Sequence, residues 1–485
     1  VSLSRLANAG AIAAGAVLLA WPALLNGYPL MFSDTGAFLA QSLVPLMIWD
    51  KPWVYGPLIH LAHWRVSLWG PVAAQALIIS HLLWLTGRVF WGERPWRHLG
   101  LSLLAAATTG PFTISLLMPD VFTAPVVLAL FLLGFAADRL GRWEMLWLGL
   151  LATLGIAAHL SHIPVAAAVI VLGVVLAWRV GPVLRMAAPL AGALALLLAT
   201  NLVGHGVAAL SPHGATFMLA RLQADGPAAR TIAALCPERG WYLCDFTHRL
   251  PMDSDEFLWS PDSPMNRDAA GNARFLGGAL LSAEAREIVR ETLRREPLAV
   301  AHAMAVNTLV QAVTAGAGDV ISQPWVDIES AAGVRVREFF PEAEVARYEA
   351  SLQAARSLPG LIAPLAPLHA GLLAGGTLLA LLAAYRAFRS GQARALALVL
   401  CVLGGAAANA FATGGLSKPH HRYQARIAWL IPIVAVIAIL PAPLPGPGRT
   451  VNDTHSLNRW RGGDHSVVNS QPASRSPGSL ESSAA

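Results

Sequence analysis

Apolar runs long enough to cross a bilayer alternate with short polar breaks along most of this chain. A helix needs about twenty predominantly apolar residues to span the hydrocarbon core. On that measure the pattern predicts ten spans, at residues 9–30, 71–90, 99–117, 121–137, 143–158, 163–178, 187–203, 361–385, 395–412 and 425–440. The run at 9–25 is longer than the apolar stretch of a secretory signal, and no small-x-small site follows it. It is therefore read as a retained first span. Residues 31–70 are too polar and proline-rich to span, and Ile59 to Trp64 predicts a short helix at the interface. From 204 to 360 charged residues become frequent and apolar runs shorten. That change predicts a mainly helical domain outside the membrane, inserted between spans seven and eight. Inside it, 283–295 reads as a charged helix and 297–313 as an amphipathic one lying against the membrane. The expected fold class is thus an all-α polytopic membrane protein. It comprises a seven-span module (1–203), the inserted domain (204–360), a three-span module (361–441) and a tail (442–485). The tail is rich in Pro, Gly, Ser and Asn, a composition that predicts disorder.

Arginines fix the expected orientation. They cluster after spans two, four, six and eight, on one side of the membrane, which the positive-inside rule assigns to the cytoplasm. The loops carrying Asp34, Asp120, His159 with His162, and His420 to Arg422 then share the opposite side with the inserted domain. Both chain ends fall in the cytoplasm. The polar residues hardest to explain as topology signals therefore converge on one face.

Composition agrees. Only 13% of the 485 residues are charged and 55% are hydrophobic, against about a quarter charged in a soluble protein. The net charge of +6 comes from single basic residues between apolar runs. That is the distribution of topology signals, not of a nucleic-acid surface. Many of the 16 tryptophans fall near span ends, as in an interfacial aromatic belt. Of the three cysteines, Cys401 lies in an apolar run. Cys236 and Cys244 lie close together in the polar region and would pair in an oxidising compartment.

Candidate chemistry sits at the span ends. Ionisable groups at membrane depth are expensive and point to function. Asp34 follows the first span and Asp120 the third. Each could equally cap a helix, since Ser33-Asp34-Thr35 is good N-cap material and Pro119-Asp120 opens the fourth span. A partly desolvated carboxylate there would make a base. His159 and His162 are three residues apart, on one face of a helix. Without an adjacent carboxylate they make a poor metal site, and hydrogen-bonding or structural roles suit them better. Lys418, His420, His421 and Arg422 form a cationic cluster before the last span, suited to a phosphate or to lipid headgroups. The aromatic runs Trp241 to Cys244 and Phe257 to Pro261, with acids nearby, read as sugar platforms or as ordinary domain core. There is no Gly-rich phosphate loop, no His-Glu-x-x-His and no Gly-x-Ser-x-Gly.

Several stretches together resemble the membrane-embedded GT-C glycosyltransferase superfamily. They are Phe32-Ser33-Asp34-Thr35-Gly36-Ala37-Phe38, Lys51-Pro52-Trp53-Val54-Tyr55-Gly56-Pro57-Leu58, Met118-Pro119-Asp120, and Arg422-Tyr423 before a late span. The resemblance covers the first seven spans best, and the inserted domain matches nothing in it. It implies transfer of a sugar from a polyprenyl-phosphate donor to a glycan, lipid or protein acceptor on the outer face of a bacterial inner (plasma) membrane. By position, Asp34 is then the general base that takes the acceptor hydroxyl's proton, with inversion at the anomeric carbon. Asp120 orients the acceptor or assists a metal. Arg422, with Lys418 or His420 and His421, stabilises the departing lipid phosphate, and Lys51, Tyr55, His159, His162 and Tyr423 join the substrate-binding set. Two departures stand out. A single acid replaces the adjacent pair of many relatives, leaving a divalent cation an open question, and Phe38 stands where Tyr is common. Two other classes compete. A transporter or flippase would place ionisable groups at span midpoints and show repeated halves. A non-catalytic envelope-assembly protein would need none of these acids.

Overall fold

The computed structural model describes residues 3–322 and 326–440, which lie within one compact unit. The tail at 442–485 lies outside the described residues. Among the described residues, helices account for the regular structure, and β-bridges occur only singly, at Leu30 with Leu116 and at Arg267 with Ala273. Five helices among them are long and apolar enough to cross a membrane: Trp69–Trp91, Val180–His205, Leu358–Arg389, Ala393–Gly415 and His421–Ile439. Leu3–Leu19, Pro119–Phe135, His162–Ala177 and Pro297–Val313 are apolar but shorter.

Two expected spans are broken, and the breaks build the site. The run at 9–30 stops at Leu19, and a new helix, Trp21–Asn26, begins with Pro22 in its first turn. The run at 99–117 stops at Ala106 and restarts as Gly110–Ser115, with Pro111 in its first turn. Proline has no N–H to give the preceding turn, so it starts a helix more readily than it continues one. Beyond both breaks the two chains run side by side. The Leu30 amide donates to the Ser115 carbonyl at 2.9 Å, and the Leu117 amide donates to the Leu30 carbonyl at 3.1 Å. The Thr35 hydroxyl adds a bond to the Leu117 carbonyl at 3.2 Å. Asp34 and Asp120 each lie four residues past the Leu30–Leu116 bridge.

Every residue of Thr123–Phe135 is buried, so this helix is the axis of the fold. Two glycines let neighbours approach it. A Cβ on Gly155 would stand 3.0 Å from Val126, and one on Gly405 2.9 Å from Val127. Arginines from neighbouring helices meet at its C-terminal end. Arg185 donates to the Leu133 carbonyl, and Arg394 to the Phe135 carbonyl and Asp138. Arg88 holds Glu144 at 2.7 Å. Asp120 is at the opposite end, about 20 Å away at 1.5 Å per residue.

The inserted region has its own core, with Leu219, Leu222, Ile232, Phe257 and Ile288 at its centre. Cys236 and Cys244 form a disulfide with Cα atoms 5.5 Å apart. The expected charged helix is Ser282–Arg295. Pro297–Val313 buries little of itself, but Gln311 holds the backbone of His420 through two bonds of 2.9 Å. The stretch after 326 belongs to the first loop rather than to this core. A Cβ on Gly36 would meet the Ala331 backbone at 2.5 Å. Buried Glu344 accepts from Tyr28 Oη, Ser67 Oγ and the Leu68 amide, and Gln353 bonds both the amide and the carbonyl of Met31.

A candidate active site of paired acids and guanidinium groups

Asp34 occupies the N-cap position of Thr35–Leu43, yet its side chain makes no capping bond. It turns to cations instead. Lys51 Nζ lies 3.2 Å from Oδ1, and Arg422 Nη2 lies 3.8 Å from Oδ2. About a third of the Asp34 side chain is exposed, at 32%, so a ligand can reach it. Lys51 is also 2.5 Å from Asp50. Burial by itself would lower the Lys51 pKa, but the two carboxylates outweigh it and hold the ammonium above its ordinary range.

Asp120 sits deeper, with 3% of its side chain exposed. Oδ1 accepts from Arg426 Nη1 at 3.1 Å, and Oδ2 lies 3.7 Å from Arg422 Nη1. These two facing atoms, Oδ2 and Nη1, are buried and have no hydrogen-bond partner. Buried polar atoms are nearly always satisfied, so the gap marks a place where a ligand could bond. Arg422 is fixed by its surroundings. Its guanidinium stacks on the Phe32 ring at 4.0 Å and on Tyr423 at 4.7 Å, and Nη2 donates to the Tyr423 hydroxyl at 3.2 Å. Its backbone amide donates to Asp319 at 3.2 Å. Arg426 is fully buried and donates to Asn409 Oδ1 and Ser161 Oγ as well. Ser161 Oγ lies 2.7 Å from His159 Nδ1.

The remaining candidates divide. Tyr55 is buried, donates to Gln75 at 2.7 Å, and packs edge-on against Phe38 and Phe122. It helps line an apolar cavity of about 160 Å³ that also touches Leu58, Gln75, Phe122, Trp147 and Leu154. Phe122, two residues from Asp120 in the chain, is part of its lining. His162 bonds Thr123 Oγ1 at 2.8 Å and the Gly155 carbonyl at 2.7 Å, so it joins helices rather than facing the acids. The expected cationic cluster splits. Lys418 bonds Asp253 and Asp255 of the inserted region. His420 lies 3.3 Å from Asp255, and His421 packs by Gly316. Of the cluster's neighbours, Arg422 and Tyr423 turn inward. Asp255 is held down to about 2: burial alone would raise it, but hydrogen bonds from His420 and Lys418 outweigh that.

Sequence reasoning missed Arg426, Asn409, Ser161 and Asp50. Arg426 had a signal, since Arg422 and Arg426 are spaced i, i+4 at the start of an otherwise apolar helix. Among the described residues no group of three or more His, Cys, Asp or Glu could hold a metal ion. The arrangement offers a reachable carboxylate between two cations, one of which, Arg422, carries an unused donor. No known family, curated protein or solved structure matches this chain.

Proposed function

We propose that this protein is a ten-span membrane glycosyltransferase of the GT-C type. It moves a sugar from a polyprenyl-phosphate donor to an acceptor on the outer face of a bacterial inner membrane. The observation that carries the reading is Asp34, a part-exposed carboxylate held between Lys51 and Arg422. In the reaction the acceptor hydroxyl gives its proton to Asp34 and its oxygen bonds to the anomeric carbon. The bond from that carbon to the phosphate oxygen breaks, and the phosphate leaves with the electron pair. Arg422 Nη1, which has no hydrogen-bond partner, meets the leaving charge. Asp120 holds the two arginines in place rather than touching the acceptor. The apolar cavity beside Tyr55 and Phe122 takes the first part of the lipid chain.

The same acids argue against a transporter, which would carry its ionisable groups at span midpoints. Asp120 stands at the mouth of the central helix. The test is mass spectrometry of envelope glycans and lipid-linked sugars from cells with the protein, without it, and with Asp34→Asn. Loss of the protein removes one glycan linkage, and Asp34→Asn lowers its formation by about 10²–10⁴-fold, the contribution of a general base. Unchanged glycans in cells lacking the protein, or full rescue by Asp34→Asn, would sink the reading.

A further inference from the structure

The aromatic run at Phe257 to Trp259 does two different things. Phe257 and Leu258 are buried in the core of the inserted region. Trp259, the last residue of the helix Ser254–Trp259, leaves that core and is 49% exposed. Its indole stands 5.7 Å from Lys51 Nζ, and Lys51 is 3.2 Å from Asp34. Lys51 Nζ, over the indole ring, is thus the one side chain between the half-exposed Trp259 and the reachable carboxylate.

The indole is part of a built platform. Trp49 stacks on Phe217 with ring centres 5.5 Å apart, and both lie within 6.4 Å of Trp259. The tip of the Trp49 ring rests against Gly278, where any side chain would collide with it. Packing thus fixes the platform, while Trp259 stays half exposed. Charged groups accompany it: Lys51 lies over its ring, and Asp253 and Asp255, at the start of the same short helix, pair with Lys418.

We infer that Trp259 is an acceptor-binding residue and that the acceptor is a carbohydrate. This rests on the transferase reading above. A pyranose or furanose ring has an apolar C–H face and a rim of hydroxyls. An aromatic face edged by charged groups complements both. A lipid alcohol would instead need an apolar groove leading to the platform. The apolar cavity lies elsewhere, beside Tyr55 and Phe122. A sugar stacked on Trp259 brings its hydroxyl over Lys51 to Asp34, which accepts the proton as the new bond to the anomeric carbon forms.

The experiment uses the full chain in lipid nanodiscs, with linear glucan, mannan, galactan and arabinan tetrasaccharides as probes and calorimetry as the readout. Wild-type protein binds at least one tetrasaccharide. Trp259→Ala weakens that binding by about tenfold or more, as for other aromatic anchors. Trp259→Phe keeps most of it and guards against loss of fold, which the unfolding midpoint of each variant checks. Failure of wild-type protein to bind any of the four, or equal binding by Trp259→Ala, overturns the inference and leaves the transferase reading to the glycan measurement. If binding depends on Trp259 while Asp34→Asn cells keep every glycan, the acceptor role falls together with the transferase reading.

Discussion

Replacing Asp120 with Asn tests whether this acid is what holds the two arginines. The change keeps the shape of the side chain, so it opens no cavity, and it removes one buried negative charge. The carboxylate stands 3.1 Å from one guanidinium and 3.7 Å from the other, with 3% of its side chain exposed. At the effective dielectric found for sites in proteins, each such pair attracts by about 4 kcal/mol. Much of that attraction offsets the cost of taking the charges out of water. Breaking a buried pair by removing one partner accordingly costs about 3–5 kcal/mol. Arg426 keeps Asn409 and Ser161, which puts the expectation at the lower end, about 3 kcal/mol. The measurement is reversible unfolding in mixed micelles, followed by tryptophan fluorescence. Asp34→Asn is the contrast. Its side chain is a third exposed and Lys51 keeps Asp50, so the loss is smaller than for Asp120. The double variant Asp120→Leu with Arg426→Met recovers only part of the loss, because an apolar pair can replace a buried ion pair while Arg422 still lacks its acid. If Asp120→Asn unfolds within about 1 kcal/mol of wild type, well below the cost of a broken buried pair, the acid does not hold the arginines and the site must be rebuilt around another anchor.

Two further outcomes follow from the inserted region. Replacing Cys236 and Cys244 by Ser frees a loop of sequence separation 8, and chain entropy predicts a loss of about 2–3 kcal/mol, read from the unfolding of that region by hydrogen exchange. Asp255 has a pKa of about 2 in the folded chain against an ordinary 3.8. Its contribution is therefore complete above pH 3.8 and is lost as the pH falls towards 2. The gap in unfolding midpoint between wild type and Asp255→Asn should close over that window. A gap that stays constant would show that Lys418 and His420 do not stabilise the carboxylate.

The helices are largely legible in the sequence, because a long apolar run bounded by charges has little choice but to bury its backbone polar groups in a helix. Asp34 and Asp120 stand out for a related reason, as charges at the ends of those runs. The cationic cluster misleads because neighbours in sequence need not be neighbours in space. Once the helix starts at His421, phase decides: Arg422 and Arg426 share a face and turn to Asp120, while Lys418 and His420, ahead of the helix, reach acids more than 160 residues away in the chain. Nothing at 418 signals that partner.

The pairing of the two acids is hidden more deeply. Pro22 and Pro111 are visible, and each can be read as a break, yet neither says where the broken chains go. The register between residues 30 and 116 is set by backbone bonds, an N–H of one chain to a C=O of the other, and any residue but proline can make both. Residue types therefore place each acid at the end of an apolar run, and only the fold brings both to the same arginine. That is why the candidate site depends on the two interruptions as much as on the charges. Had the first run continued as one helix through residue 30, the Leu30 amide would be spent within that helix, and its bond to Ser115, which helps register Asp34 against Asp120, would be lost.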